Sequence, residues 1–221
     1  MSLIVIGTDT GVGKTVVSAV LIARYGRGLR LGYWKPVQTG AAEERDSESV
    51  RKWTRGLADV LEESYVFEPP LSPHRAARLA AVEIQPERIL EDLVRHGLED
   101  SRRSLVIEGA GGLLVPLTGG GYLLADLCRE MHLPCLLVAR STLGTINHTL
   151  LTLEALRARR IPLAGVVLSG PPDVENRKAI ERFGGTRVVA EVGLLGRPGP
   201  AGVRKAARSF DRAGCLRPYL E

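Results

Sequence analysis

Cysteine is nearly absent from this chain: Cys128, Cys135 and Cys215 are the only three among 221 residues. They are odd in number and show no CxxC spacing, which excludes a disulfide scaffold and a zinc framework and suits a reducing, cytoplasmic compartment. Aromatic residues make up only 5%, and the cations are scattered, so no base-stacking surface for nucleic acid is expected. No run of about 18 apolar residues occurs, which excludes a spanning helix as a membrane partner. The opening stretch MSLIVIGTDTG has no basic region and too short an apolar run for a secretion signal. Lysine is scarce as well. The net charge of +5 rests on 25 arginines and only five lysines, so a lysine in a glycine-rich or strand-end position suggests that a compact ammonium is wanted there. Lys14 and Lys35 occupy such positions.

What is present is a composition with 44% hydrophobic and 25% charged residues, ordinary for one globular domain spanning residues 1–221. Short runs apolar on both faces predict buried parallel strands at Leu3–Ile6, Leu31–Trp34, Leu105–Ile107, Cys135–Ala139, Ala164–Leu168 and Arg187–Ala190. Helical patterns fall between them, at roughly 14–25, 86–97, 123–131, 145–159, 174–183 and 202–213. Such alternation predicts an α/β fold with a doubly wound, mostly parallel sheet flanked by helices. Ligands of such sheets sit at the carboxyl ends of the strands. The residues there are Gly7, Lys35, Glu108, Arg140-Ser141, Ser169 and Glu191.

Three of these ends carry chemistry. Gly7-Thr8-Asp9-Thr10-Gly11-Val12-Gly13-Lys14-Thr15 follows the first strand and opens a helix. It is a variant P-loop, with Thr8 where the strict pattern has glycine, and it retains the Gly-Lys-Thr end. Gly11, Val12 and Gly13 would bring backbone N–H groups to phosphate oxygens, Lys14 would reach the β- and γ-phosphates, and Thr15 would ligate Mg²⁺. Lys35-Pro36-Val37-Gln38-Thr39-Gly40 follows the second strand. Alone, Lys35 would be a surface charge; beside a P-loop it becomes a second ammonium for a transferring phosphoryl group. Leu105-Val106-Ile107-Glu108 ends in a carboxylate in the manner of a Walker-B strand, with Glu108 on Mg²⁺ or its water. The glycines that follow, Gly111 among them, leave room for a substrate against the backbone. A Rossmann-like P-loop NTPase follows from these features. Two further segments stay open on spacing alone. Gly144-Thr145-Ile146-Asn147 begins an amphipathic helix and reads equally as a carboxylate site or as capping. Asp46 reads as an ordinary helix cap. The histidines form no ligand cluster.

Together, GTDTGVGKT, KPVQTG, EGAGGLLVPL and LGTINHTLLTLEAL resemble the dethiobiotin synthetase family over about residues 1–170, in the family's order and spacing. Ser72-Pro73-His74 adds to the likeness. The resemblance implies a Mg²⁺-dependent ligase and a homodimer. Its reaction joins 7,8-diaminopelargonate, CO₂ and ATP to give dethiobiotin, ADP and phosphate, by way of a carbamate and a carbamic–phosphoric anhydride. It also implies roles for residues. Lys14 and Lys35 handle phosphate and carbamate, Thr10 and Thr39 lie near carbamate and substrate, and Thr15, Asp46 and Glu108 hold the metal. Gly144, Thr145, Ile146 and Asn147 receive the substrate carboxylate from the neighbouring subunit. Ser169 and Gly170 stand where adenine-reading members have Asn-Asp, so a loosely specified base, with other nucleoside triphosphates tolerated beside ATP, is expected. The main rival is a partitioning-type switch ATPase, whose loop carries a signature lysine where this chain has Asp9.

Overall fold

The computed structural model describes residues 2–42, 44–99 and 102–221. In chain order the strands are β1 (Leu3–Gly7), β2 (Leu31–Trp34), β3 (Val37–Gln38), β4 (Asp59–Val60), β5 (Tyr65–Val66), β6 (Ser104–Gly112), β7 (Cys135–Arg140), β8 (Leu163–Ser169) and β9 (Val188–Val192). The helices are α1 (Lys14–Tyr25), α2 (Asp46–Thr54), α3 (Pro73–Leu79), α4 (Pro86–Glu99), α5 (Leu124–Glu130), α6 (Thr145–Ala158), α7 (Val174–Gly184) and α8 (Pro200–Ala207), followed by a 3₁₀ turn at Arg217–Tyr219.

Seven strands form one sheet in the order β4-β2-β6-β1-β7-β8-β9, and every pair in it runs parallel. β3 and β5 pair separately, also in parallel. Alternation along the strands explains their double-sided apolarity. Ile4, Ile6, Ile107, Leu137 and Leu168 enter one core, whereas Leu3, Val5, Val106, Leu136 and Val167 enter the other. A strand covered on both faces must be apolar at every position.

From β1 the chain crosses to β2 and the edge strand β4, returns to β6 beside β1, and then passes to β7, β8 and β9 on the other side. β1 therefore marks the switch point where the connections diverge and leave a crevice at the strand ends. The loop from Gly7 to Lys14 emerges there. Among the described residues no helix is long and apolar enough to cross a membrane.

Several boundaries shift by one or two residues from the sequence expectation, and two depart further. Glu108 does not end its strand: β6 continues to Gly112, because a register shift after Val5 lets Gly7 pair with Gly112. The last helix stops at Ala207 rather than running to 213, and the chain soon turns through Asp211 at φ 43.

Candidate active site

The loop between β1 and α1 depends on two glycines. Gly11 (φ 71) and Gly13 (φ 97) occupy the left-handed region, where a side chain is strained. A Cβ on Gly13 would also meet the Ser169 hydroxyl at 2.6 Å. Gly13 caps α1, whose first turn carries no acidic residue, so its free N–H groups and positive dipole end are available to an anion. Val12 is buried and anchors the loop from beneath.

Lys14 is nearly buried and donates to two backbone carbonyls, Asp9 at 3.0 Å and Gly111 at 2.9 Å. Its pKa is lowered to about 8: burial, helped by the neighbouring Lys35 charge, outweighs Glu108, Asp46 and Asp9, which oppose the shift. Carbonyls satisfy the ammonium without neutralising it, so its charge remains available to phosphate.

Beside it lies a charged cluster drawn from four elements. Thr15, on α1, places Oγ1 2.7 Å from Asp46 Oδ1 and 2.9 Å from Glu108 Oε1. Lys35, just past β2, donates to Asp46 Oδ2 and, at 3.1 Å, to Glu108 Oε1. Burial alone would lower the Lys35 pKa, but Glu108 and Asp46 outweigh it and the net shift is upward. Burial alone would raise Asp46; the Lys35 charge and hydrogen bonds from Lys35, Thr15 and Gln38 reverse this, and its carboxyl stays below the usual range. A hydroxyl has one proton and cannot donate to both carboxylates at once. Three oxygens from Thr15, Asp46 and Glu108 thus converge as a hard, all-oxygen donor set, which fits a small divalent cation such as Mg²⁺.

Asp46 is held in place from its own backbone. As the first residue of α2 it has an N–H without an intrahelical partner, and this donates to Gln38 Oε1 at 3.0 Å. Its reading as a plain helix cap is superseded: the side chain faces Thr15 and Lys35, not the helix end.

These groups open onto a cleft of about 530 Å³, whose lining includes Thr10, Gly11, Gly13, Lys14, Thr15, Lys35, Thr39, Asp46, Glu108 and Gly111. Ser72 and Pro73, at the start of α3, also line it, as do Trp53 and Leu71. The remaining candidates lie elsewhere. Ser169 and Gly170 sit behind the loop, Ser169 against Gly13 and Gly170 against the Ser141 hydroxyl. Gly144, Thr145, Ile146 and Asn147 do not line the cleft. Gly144 (φ 91) caps α6, Thr145 is buried, and Asn147 is exposed. Near them a second depression of about 360 Å³ runs along α6, lined by Asp9, Leu114, His148 and Leu151 among others.

Sequence reasoning missed Tyr33 and Ser18, which both donate to Glu108 Oε2, at 3.0 and 3.1 Å. Each lies within an apolar run and looks like core filling. Gln38 was visible only as part of KPVQTG, with no signal for its hold on α2.

A glycine-rich loop at the switch point, a buried lysine behind it and a carboxylate on the adjacent strand define a P-loop nucleotide-dependent enzyme. A family model described as an AAA domain matches residues 1–197. The ATP-dependent dethiobiotin synthetase BioD of Paramagnetospirillum magneticum is 47% identical over 188 residues, 85% of each chain. The enzyme of the same name from Agrobacterium fabrum is 44% identical and covers 96% of each. The chain belongs to the dethiobiotin synthetase family, ATP-dependent enzymes of biotin biosynthesis. Among solved structures, a ParA family ATPase from Chlorobium tepidum aligns with a TM-score of 0.56 at 12% identity, covering 98% of this chain and 91% of that one. Chloroplast FtsY from Physcomitrella patens aligns at 0.52 and 18%, covering 94% and 65%. At such identities these two establish the fold alone.

Proposed function

We propose that this chain is a single-domain, cytoplasmic ring-closing ligase that turns 7,8-diaminopelargonate, CO₂ and ATP into dethiobiotin, ADP and phosphate. The observation that carries the reading is the convergence of Lys14, Lys35, Thr15, Asp46 and Glu108 on one cleft, in a chain that matches dethiobiotin synthetases over most of its length.

The chemistry follows from the substrates. One amine attacks CO₂ and loses a proton to give a carbamate, which is too poor an electrophile to cyclise. A carbamate oxygen then attacks the γ-phosphorus, ADP leaves, and the mixed anhydride has a leaving group. The second amine attacks its carbonyl, phosphate departs with the former carbamate oxygen, and loss of a proton leaves the cyclic urea.

The residues would act by position and charge. The loop from Gly11 to Thr15 and Lys14 hold the triphosphate, and Lys35 offsets charge on the transferring phosphoryl group. Thr10 and Thr39, on the cleft wall, hydrogen-bond carbamate and substrate, and Gly111 lets the substrate lie close to backbone. Thr15, Asp46 and Glu108 would hold Mg²⁺. Bound there, the ion would neutralise phosphate charge and polarise a phosphoryl oxygen.

We assign the α6 start, Gly144 to Asn147, to the neighbouring subunit's substrate carboxylate. Two features favour a homodimer: these residues lie outside their own cleft, and Leu143, Leu114 and Leu151 are exposed beside the depression along α6. Ser169 and Gly170 form the base end of the site.

The anhydride route is tested by ¹⁸O. With labelled bicarbonate, mass spectrometry should find label in the released phosphate. Phosphate that draws its extra oxygen only from water would contradict carbamate phosphorylation.

A further inference from the structure

We propose that Tyr33 and Ser18 are positioning residues, which together hold the Glu108 carboxylate so that its other oxygen points at the metal site. The inference rests on the reading of Glu108 as a metal ligand.

The two oxygens of Glu108 have divided roles. Oε1 lies 2.9 Å from the Thr15 hydroxyl and receives the Lys35 ammonium. Oε2 receives only neutral hydroxyls, from Tyr33 at 3.0 Å and Ser18 at 3.1 Å. The same two elements serve both. From α1, Thr15 reaches Oε1 and Ser18, three residues on and therefore on the same helix face, reaches Oε2. From β2 and the residue just past its end, Lys35 reaches Oε1 and Tyr33, two residues back on the same side, reaches Oε2.

A carboxylate rotates about its bond to the chain, and either oxygen could face the cleft. Two hydroxyls fixed on one oxygen remove that freedom. Because they are neutral, they take none of the charge that Lys35 and a cation require. Tyr33 and Ser18 are fully buried and Glu108 is 1% exposed, so water has no ready access to replace either donor. Partners that orient a metal ligand typically contribute 10–100-fold to metal affinity.

The experiment uses Mn²⁺ as an EPR-visible probe, titrated into the full chain saturated with a non-hydrolysable ATP analogue. Tyr33→Phe removes only the hydroxyl oxygen, and Ser18→Ala is an independent second variant. Each should weaken Mn²⁺ binding by about 10–100-fold and raise the apparent KM for Mg²⁺ in the same proportion. The analogue's affinity without metal should stay within about twofold, since this contact does not touch the nucleotide. Melting temperatures identify a variant that has lost its fold. If folded Tyr33→Phe and Ser18→Ala bind Mn²⁺ like the parent while Glu108→Gln does not, the metal reading stands and the positioning role is overturned. If Glu108→Gln and Asp46→Asn also bind Mn²⁺ like the parent, the metal reading falls and this inference falls with it.

Discussion

Lys35 and Lys14 are both buried ammonium groups with opposite environments. Lys35 is clamped between two carboxylates, so it stays charged throughout the neutral range. Replacing it with Ala should lower kcat by about 10²–10³, the usual loss for one donor aimed at developing charge, and Arg should rescue poorly because its planar fork does not match the site. Steady-state kinetics that show a near-normal kcat for Lys35→Ala would reduce it to a structural ion pair. Lys14 has carbonyl partners only, and its pKa is lowered from 10.5 to about 8. The unfolded chain therefore binds more protons than the folded one between about pH 8 and 10.5, and this group's contribution to stability rises with pH across that window. Nucleotide binding runs the other way. The triphosphate needs the ammonium, so above pH 8 binding must take up a proton and affinity should fall by up to about tenfold per pH unit. Calorimetry in buffers of different ionisation enthalpy reads that uptake; a flat affinity from pH 7 to 9.5 would contradict it. These two lysines were legible from the sequence because glycines or a strand end frame them. Tyr33 and Ser18 were not, because a buried hydroxyl is recognisable only when the acid it serves lies beside it.

Elements were legible where apolar runs were long and continuous. The strand expected at Leu31–Trp34 and the helix expected at 14–25 have the expected bounds. The pair β3 and β5 was not foreseen, since two residues each carry no periodicity. The helix α3, seven residues long, is likewise too short for a stripe. The sequence pattern overextends the last helix because Arg208–Arg212 continues an amphipathic pattern that a tertiary contact interrupts. Asp211 is buried and accepts from the Tyr25 hydroxyl at 2.6 Å and from the backbone N–H groups of Cys215 and Leu216 at 2.8 and 2.7 Å. This ties the C-terminal segment to the end of α1, the helix that begins at the phosphate loop. Asp211→Ala would strand three donors, two of them in buried bonds, and should cost about 3 kcal/mol; Tyr25→Phe, losing one bond, should cost about 1–2 kcal/mol. Urea unfolding measures both, and a loss below about 0.5 kcal/mol for Asp211→Ala would show that the contact is dispensable.

At the scale of the whole molecule, the α6 start does not line the cleft of its own chain, although it is proposed above to receive a substrate carboxylate. The proposed homodimer would bring it to the neighbouring cleft. Mixed Lys14→Ala and Asn147→Ala subunits, each inactive alone, should regain about a quarter to a half of parental activity in heterodimers through the intact shared site. A fully active monomer by light scattering would refute the arrangement. The base end proposed at Ser169 and Gly170 predicts weak discrimination. Ser169 faces Gly13, Gly170 has no side chain, and Asn176 already gives both amide protons to Ser141 O and Asp173. CTP, GTP and UTP should therefore support turnover within roughly 100-fold of ATP in kcat/KM, the scale of one missing bidentate pair. The most direct test of the ligase itself is phosphate release measured with Mg²⁺ and ATP, with and without 7,8-diaminopelargonate and bicarbonate. Release that requires both, with a cyclic urea formed in equal amount, is the predicted result; release at full rate without the diamine would contradict it and make the chain a nucleotide switch.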